Sequence, residues 1–257
     1  MQKLEVALKD IDQDDIDNVV KKALTDSFLE IDQSTPSGKE SGCTASVVLQ
    51  LGSKLYVANV GDSISLVATY TTLNDSVEVV YVTREDKPDV PDEYERILQM
   101  GGSVYIPKNP DEGSPRVVFW NPDTGYHSGL AMSRSIGDWD IVGVIAEPII
   151  DVIDVRELVA NAVANSATSD VETCVAAEHV HVFAMSATDG MMDYLRPLEL
   201  AASFADSFYR QDGPHPLTVA EDLILKAAKG WNNAMGGQYR DDIAVAASKI
   251  VVPDEQS

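Results

Sequence analysis

Four runs rich in Val, Leu and Tyr follow one another early in the chain: TASVVLQL, KLYVANV, SISLVATY and VEVVYVT, with Gly52-Ser53 and Gly61-Asp62 in two of the gaps. Gaps this short leave little choice of topology. A parallel crossover needs a dozen or more residues, whereas antiparallel neighbours can be joined by two. The pattern predicts an antiparallel meander with strands at 44–50, 54–60, 63–70 and 77–83. KLYVANV is mostly apolar on both faces, which predicts cover on each side of that strand.

Helical signals flank these strands. In DDIDNVVKKALTDSFLEID, residues Ile16, Val19, Val20, Ala23, Leu24, Phe28 and Ile31 fall on one stripe of helical period. Asp14 stands at the N-cap position, and the helix is expected to end before QSTPSGKESG. After the strands, the proline-bearing stretch REDKPDVPDEYERILQMGGSVYIPKNPDEGSP holds a short helix, Glu93 to Met100, stopped by Gly101-Gly102. It reads as a compact, flap-like excursion over about residues 84–130. EPIIDVIDV alternates as a half-buried strand does. RELVANAVANSATSDVET reads as an irregular surface insertion, with a short helix as the alternative. The last third gives a strand at HVHVFAMSAT, helices at PLELAASFADSFYRQ and LTVAEDLILKAAKGWNNA, and a final strand at DIAVAASKIVV. Runs of strands, then helices, then a return strand indicate an α+β fold. With no internal repeat or low-complexity tract, residues 1–257 read as a single domain.

Composition excludes some functions. The formal net charge is -23, from 42 acids against 19 bases, which argues against nucleic acid as a partner. Cys43 and Cys174 form no spaced pair, and read as reduced, buried thiols of an intracellular protein. No apolar run reaches the length of about 18 residues that spans a membrane. The start MQKLEVALKD lacks a signal-peptide core. The expectation is a soluble cytoplasmic or nuclear protein with no membrane partner.

Three sites place an acid where a strand meets a turn: Asp62 after KLYVANVG, Asp189 after HVFAMSAT, and Asp241-Asp242 after GGQYR. A rigid strand end can aim a carboxylate, and a neighbouring Gly admits close approach. Acids gathered without His or Cys suit a hard cation such as Mg or Mn. Each acid taken alone reads as an ordinary turn or N-cap residue, and spacing does not show that the three converge. His179 and His181 alternate along a strand, so a two-His site and an ordinary strand face are both open. No P-loop, Ser-His-Asp or Cys-His arrangement is legible.

The order of motifs carries a resemblance. SGCTASVVLQL and KLYVANVGDS, then REDKPDVPDEYERILQMGGSV, GLAMSRSIGDWD with Glu147-Pro148 after it, SATDGMMDYL, and YRDDIAVAASKIVV, resemble successive motifs of the metal-dependent protein phosphatases of the PP2C type, from about Ser41 to Val252. The resemblance implies a four-layer α-β-β-α sandwich of two antiparallel sheets. It implies hydrolysis of phosphoserine and phosphothreonine at a two-metal centre, on phosphoprotein substrates, by a monomer using Mg or Mn. It also implies metal-holding roles for Asp189 and Asp241. Asp62 matches an acid that in relatives can join the Asp189 equivalent on a further metal. Gly190 is then expected to permit a tight turn that presents Asp189.

The sequence departs from the family pattern in ways that bear on activity. The family's D-G-H-G-G motif, its E-D metal acid and its phosphate-binding Arg, on two strands before the first helix, have no match here. The two Asp-Gly pairs, Asp189-Gly190 and Asp212-Gly213, are not followed by His. Cys43, Ile64, Met192 and Asp242 stand where the family usually has Ser or Thr, Arg, Trp and Asn. The expectation is the C-terminal three quarters of a family domain, incomplete at the N-terminus. As a truncated phosphatase it would have impaired activity; the alternative is a non-catalytic binding module.

Overall fold

The computed structural model describes residues 15–35, 41–109, 113–166 and 176–253. In chain order the elements are helix α1 (Ile16–Ser34), strands β1 (Gly42–Cys43), β2 (Ala45–Leu51), β3 (Lys54–Val60), β4 (Ile64–Thr71) and β5 (Ser76–Val82), and helix α2 (Pro91–Gln99). Then come β6 (Ser103–Tyr105), β7 (Arg116–Asn121), β8 (Tyr126–Leu130), β9 (Ile136–Gly137), β10 (Ile149–Asp154) and helix α3 (Val155–Ser166). A short 3-10 turn (Ala177–His179) leads to β11 (Val180–Ala187), helices α4 (Asp189–Met192), α5 (Pro197–Tyr209) and α6 (Pro216–Met235), and β12 (Val245–Ile250). The class is α+β. The chain groups into two compact units: the first is 1–46, 58–63 and 84–151, the second 47–57, 64–83 and 152–257.

The sheet orders are β1-β9, β10-β3-β2, β12-β11-β4-β5 and β6-β7-β8. The expected meander is therefore corrected: its strands exist, but β2 and β3 belong to one sheet and β4 and β5 to another. The chain breaks pairing at Gly61, whose φ is +97°, and a Cβ there would lie 2.4 Å from the Thr44 Cγ2. Only a glycine gives this turn and this closeness together.

In the second unit, period-2 alternation puts a core on each face of the β4-β11 pair. Leu66, Ala68, Tyr70, Phe183, Met185 and Ala187 pack with Leu200, Phe204, Leu223 and Ala227 of α5 and α6. Val67, Val182 and Ala184 face Val155, Val159 and Ala162 of α3. This corrects the irregular reading of residues 155–166. Buried positions four and three apart form a helical stripe whose small residues made it look like a surface segment. The register sets Ala187 opposite both Ile64 and Val245.

In the first unit, Phe28 and Leu24 of α1 pack with Ala58, Val60 and Ile136. Ile31, expected on the same stripe, is 53% exposed. Asp14 and Cys174 lie outside the described residues. The N-cap position of α1 is Asp15, without a capping side-chain bond. Cys43 is exposed rather than buried, because its two-residue strand offers no interior face. The excursion folds around Ile97, Val117 and Ile141. Its β6-β7-β8 sheet was hidden in sequence among Pro, Gly and Asn.

A buried ionic network fastens this unit. Glu93 accepts from Arg84, Arg96, Arg134 and Ser133. Asp86, wholly buried, accepts from Arg84 and from the Gly61 amide at 3.1 Å. Burial pushes the Asp86 carboxyl up to about 6, against the pull of Arg134 and Arg84. Its ionised form is thus disfavoured in the fold: the penalty is present in full above about 6 and relieved as pH falls toward the ordinary 3.8. Between neutral pH and about 4.5, wild type is expected to gain on the order of 2 kcal/mol relative to Asp86→Asn. Urea unfolding at several pH values checks this; parallel curves for the two proteins would refute it.

Candidate metal centre

The end of β11 runs directly into α4. Thr188 takes the N-cap position in extended conformation, and Asp189 is the first helical residue. Thr188 is also a clasp. Its amide donates to the Ala244 carbonyl at 3.1 Å, its hydroxyl donates to the Asp242 carbonyl at 2.8 Å, and it accepts from the Ala244 amide at 2.9 Å. The segment before β12 is thereby drawn against the start of α4.

Gly190 shows how closely. A Cβ on this residue would lie 2.4 Å from the Asp242 carbonyl oxygen and 3.0 Å from the Asp241 Cβ. Gly190 is not among the glycines with positive φ. The expected role in a tight turn is corrected: the glycine is needed because another backbone passes over it, not because of its own conformation. Its carbonyl accepts from the buried Trp231 Nε1 at 2.7 Å, which fixes it from α6. Gly190→Ala is expected to cost about 1–3 kcal/mol, since rigid backbone leaves the methyl no room. A melting temperature unchanged from wild type would show that the segment yields freely.

Asp189 and Asp241 are both half-buried. The Asp189 Oδ1 accepts from the Gly190 amide at 2.8 Å. The Asp241 Oδ1 accepts from the Asp242 amide at 2.8 Å, and its Oδ2 from the Tyr239 hydroxyl at 3.1 Å. Desolvation, then Asp241, Asp189 and Asp242, raise the Tyr239 phenol above its ordinary value. Three carboxylates thus act on one tyrosine, a local excess of negative charge. An all-oxygen donor set suits a hard divalent cation. Among the described residues, however, no group of three or more His, Cys, Asp or Glu is arranged to hold a metal ion. The donors therefore suit one such cation in part, and do not make up a two-metal set.

Asp62 belongs to the first unit. It is 5% exposed, and its carboxylate pairs with the Lys87 ammonium at 2.6 Å. Sequence reasoning missed this lysine; an acid and a base 25 residues apart carry no local signal of pairing. The two histidines of the strand motif make different ring contacts. His179 sits in the 3-10 turn with its ring 3.3 Å from the Thr72 hydroxyl, whereas His181 stacks on Tyr209 with centroids 4.5 Å apart.

The family model described as "Protein phosphatase 2C" matches residues 2–231. The chain belongs to the protein phosphatase 2C family. It is 29% identical to a probable protein phosphatase 2C 34 of Arabidopsis thaliana over 79% of this chain and 48% of that protein. It is 31% identical to a probable protein phosphatase 2C 48 of Oryza sativa subsp. japonica over 79% of this chain and 50% of that one. The chain thus spans about half the length of these protein phosphatase 2C relatives. In fold it resembles the serine-threonine phosphatase 2C of Toxoplasma gondii, with a TM-score of 0.66 and 19% identity, covering 96% of this chain and 74% of that one. The protein phosphatase 2C family is metal-dependent. No helix among the described residues is long and apolar enough to cross a membrane.

Proposed function

We infer that the chain is a metal-dependent protein serine/threonine phosphatase acting on phosphoserine and phosphothreonine in proteins, with Asp189 and Asp241 as metal-holding acids. The observation that carries this reading is the close packing at Gly190, which leaves no room for a Cβ between α4 and the Asp241-Asp242 segment. Neighbouring carboxylates repel, and a cation shared between them would relieve the repulsion. Magnesium or manganese suits such a set. When bound, a cation of this kind polarises phosphoryl oxygens and makes water more acidic. The chain's own part is positioning: β11 and α4 aim Asp189, Thr188 ties down the segment bearing Asp241, and Tyr239 orients the Asp241 carboxylate. Asp62 is proposed as an accessory metal acid on the strength of its Gly-Asp-Ser sequence. To serve, it would exchange the Lys87 ammonium for a cation. Residues 1–257 are read as one phosphatase domain, a monomer with phosphoprotein substrates and neither nucleic acid nor membrane as partner.

One observation favours a second reading, a non-catalytic binding module: the described residues hold no three-ligand group. Two-metal hydrolysis requires oxygens that clamp metals about 3.5–4 Å apart. Phosphate release from a phosphothreonine peptide, with millimolar Mn or Mg, separates the two. The phosphatase reading predicts slow release that needs the metal and disappears in Asp189→Asn. A folded, metal-binding chain releasing no more phosphate than that variant would support the second reading.

A further inference from the structure

Helix α6 ends at Gly236, in left-handed conformation with φ 59°. Its last turns and the residues that follow line a cavity of about 420 Å³, formed by Ala228, Asn232, Gly237, Gln238, Tyr239 and Arg240. Arg240 is the one charged residue of this lining. Its guanidinium has no hydrogen-bond or ion-pair partner among the described residues. That is unexpected with two acids directly after it, in a chain of 42 acids against 19 bases. The Asp241 carboxylate is instead turned to Tyr239 and its own loop. Tyr239 forms one wall, with its ring edge-on to Trp231 at 5.5 Å and its hydroxyl on Asp241. Tyr239 thus both lines the cavity and bonds the proposed metal acid Asp241, which puts the cavity next to that acid. The same lining contains Asn232 and Gln238, and a guanidinium offers donors in the fork geometry that a carboxylate accepts.

We propose that this cavity receives an acidic side chain flanking the phosphorylated residue of the substrate, with Arg240 reading its carboxylate. The proposal rests on the phosphatase reading, since it names the substrate class of that site. Lys in place of Arg240 would keep the charge but lose the fork. The test is fluorescence anisotropy of the whole chain, with manganese, on labelled phosphothreonine peptides flanked by Glu, Gln or Lys. Salt is held at about 0.15 M to screen the chain's general negative charge. The Glu-flanked peptide is expected to bind about fivefold to tenfold tighter than the Gln-flanked one. Arg240→Ala brings the Glu-flanked and Gln-flanked affinities to within about twofold of each other, and Arg240→Lys retains part of the preference. Equal affinities for the three peptides, no measurable binding, or a Glu preference that survives Arg240→Ala would overturn the proposal. Phosphate release is followed in parallel. An Arg240-dependent preference without release contradicts the phosphatase reading and keeps the acidic pocket, whereas release with no preference contradicts the pocket alone.

Discussion

Glu93→Ala is expected to lose about 3–5 kcal/mol of folding stability, the largest effect of any single change considered for this chain. Glu93 is 1% exposed and is the shared anion for three arginines. Its Oε1 lies 3.2 Å from Arg84 and 2.6 Å from Arg134, and its Oε2 lies 2.5 Å from Arg96 and 2.5 Å from Ser133. Removing it leaves three partly buried guanidinium groups with Asp86 to answer Arg84 and Arg134, Asp92 to answer Arg84, and no carboxylate for Arg96 among the described residues. Those arginines come from α2, from the segment after β5 and from the segment before β9, so their anchoring to one another goes with it. Glu93→Gln keeps the shape and some hydrogen bonds but no charge, and is expected to fall between. Burial opposes ionisation of Glu93, but hydrogen bonds from Arg134, Arg96 and Ser133 outweigh it and hold the carboxyl at about 2. Its contribution is therefore complete above the ordinary 4.5 and is lost as pH falls toward 2. Urea unfolding at neutral pH and again near pH 3 reads both effects. A loss below about 1 kcal/mol would mean that water screens the network, as it screens exposed pairs.

Asp189→Asn is expected to reduce metal-dependent phosphate release by about 100-fold or more. The amide keeps the volume of the side chain and one acceptor for the Gly190 amide, but not the charge that a hard cation requires. Stability should not suffer. In cation-free buffer the variant removes one of three negative charges that act on Tyr239, so its melting temperature should equal or exceed that of wild type. This combination, activity lost and stability kept, distinguishes a metal-holding acid from a structural one. A variant that releases phosphate as wild type does would take Asp189 out of the chemistry.

The parts legible in sequence were those whose cause is local. Strands β2 to β5 lie within one residue of their expected ends, because alternation and short gaps are properties of adjacent residues. Helices α5 and α6 lie where they were expected, and Leu200, Ala201, Phe204 and Ala205 are the buried residues of α5. What was not legible depends on distant partners. The need for Gly61 is set by its positive φ and by Thr44, and the need for Gly190 by residues 241 and 242. Nothing near Lys87 announces Asp62, and nothing near Glu93 announces Arg134. The acids stood at strand ends and in ordered motifs, yet their surroundings could not be read: the segment bearing Asp241 packs against Gly190, whereas Asp62 is held by an ammonium.

Asp189 and Asp241 are proposed to hold a divalent cation together, and thermal unfolding during a manganese titration tests this without any need for turnover. A cation that binds the folded chain stabilises it by about 1.4 kcal/mol at ten times its dissociation constant, which for a chain of this size raises the melting temperature by about 3–6 °C. Wild type should show a saturable rise, and Asp189→Asn and Asp241→Asn should each abolish it at the same manganese concentrations. A rise of equal size in wild type and both variants would place the cation elsewhere and contradict the claim.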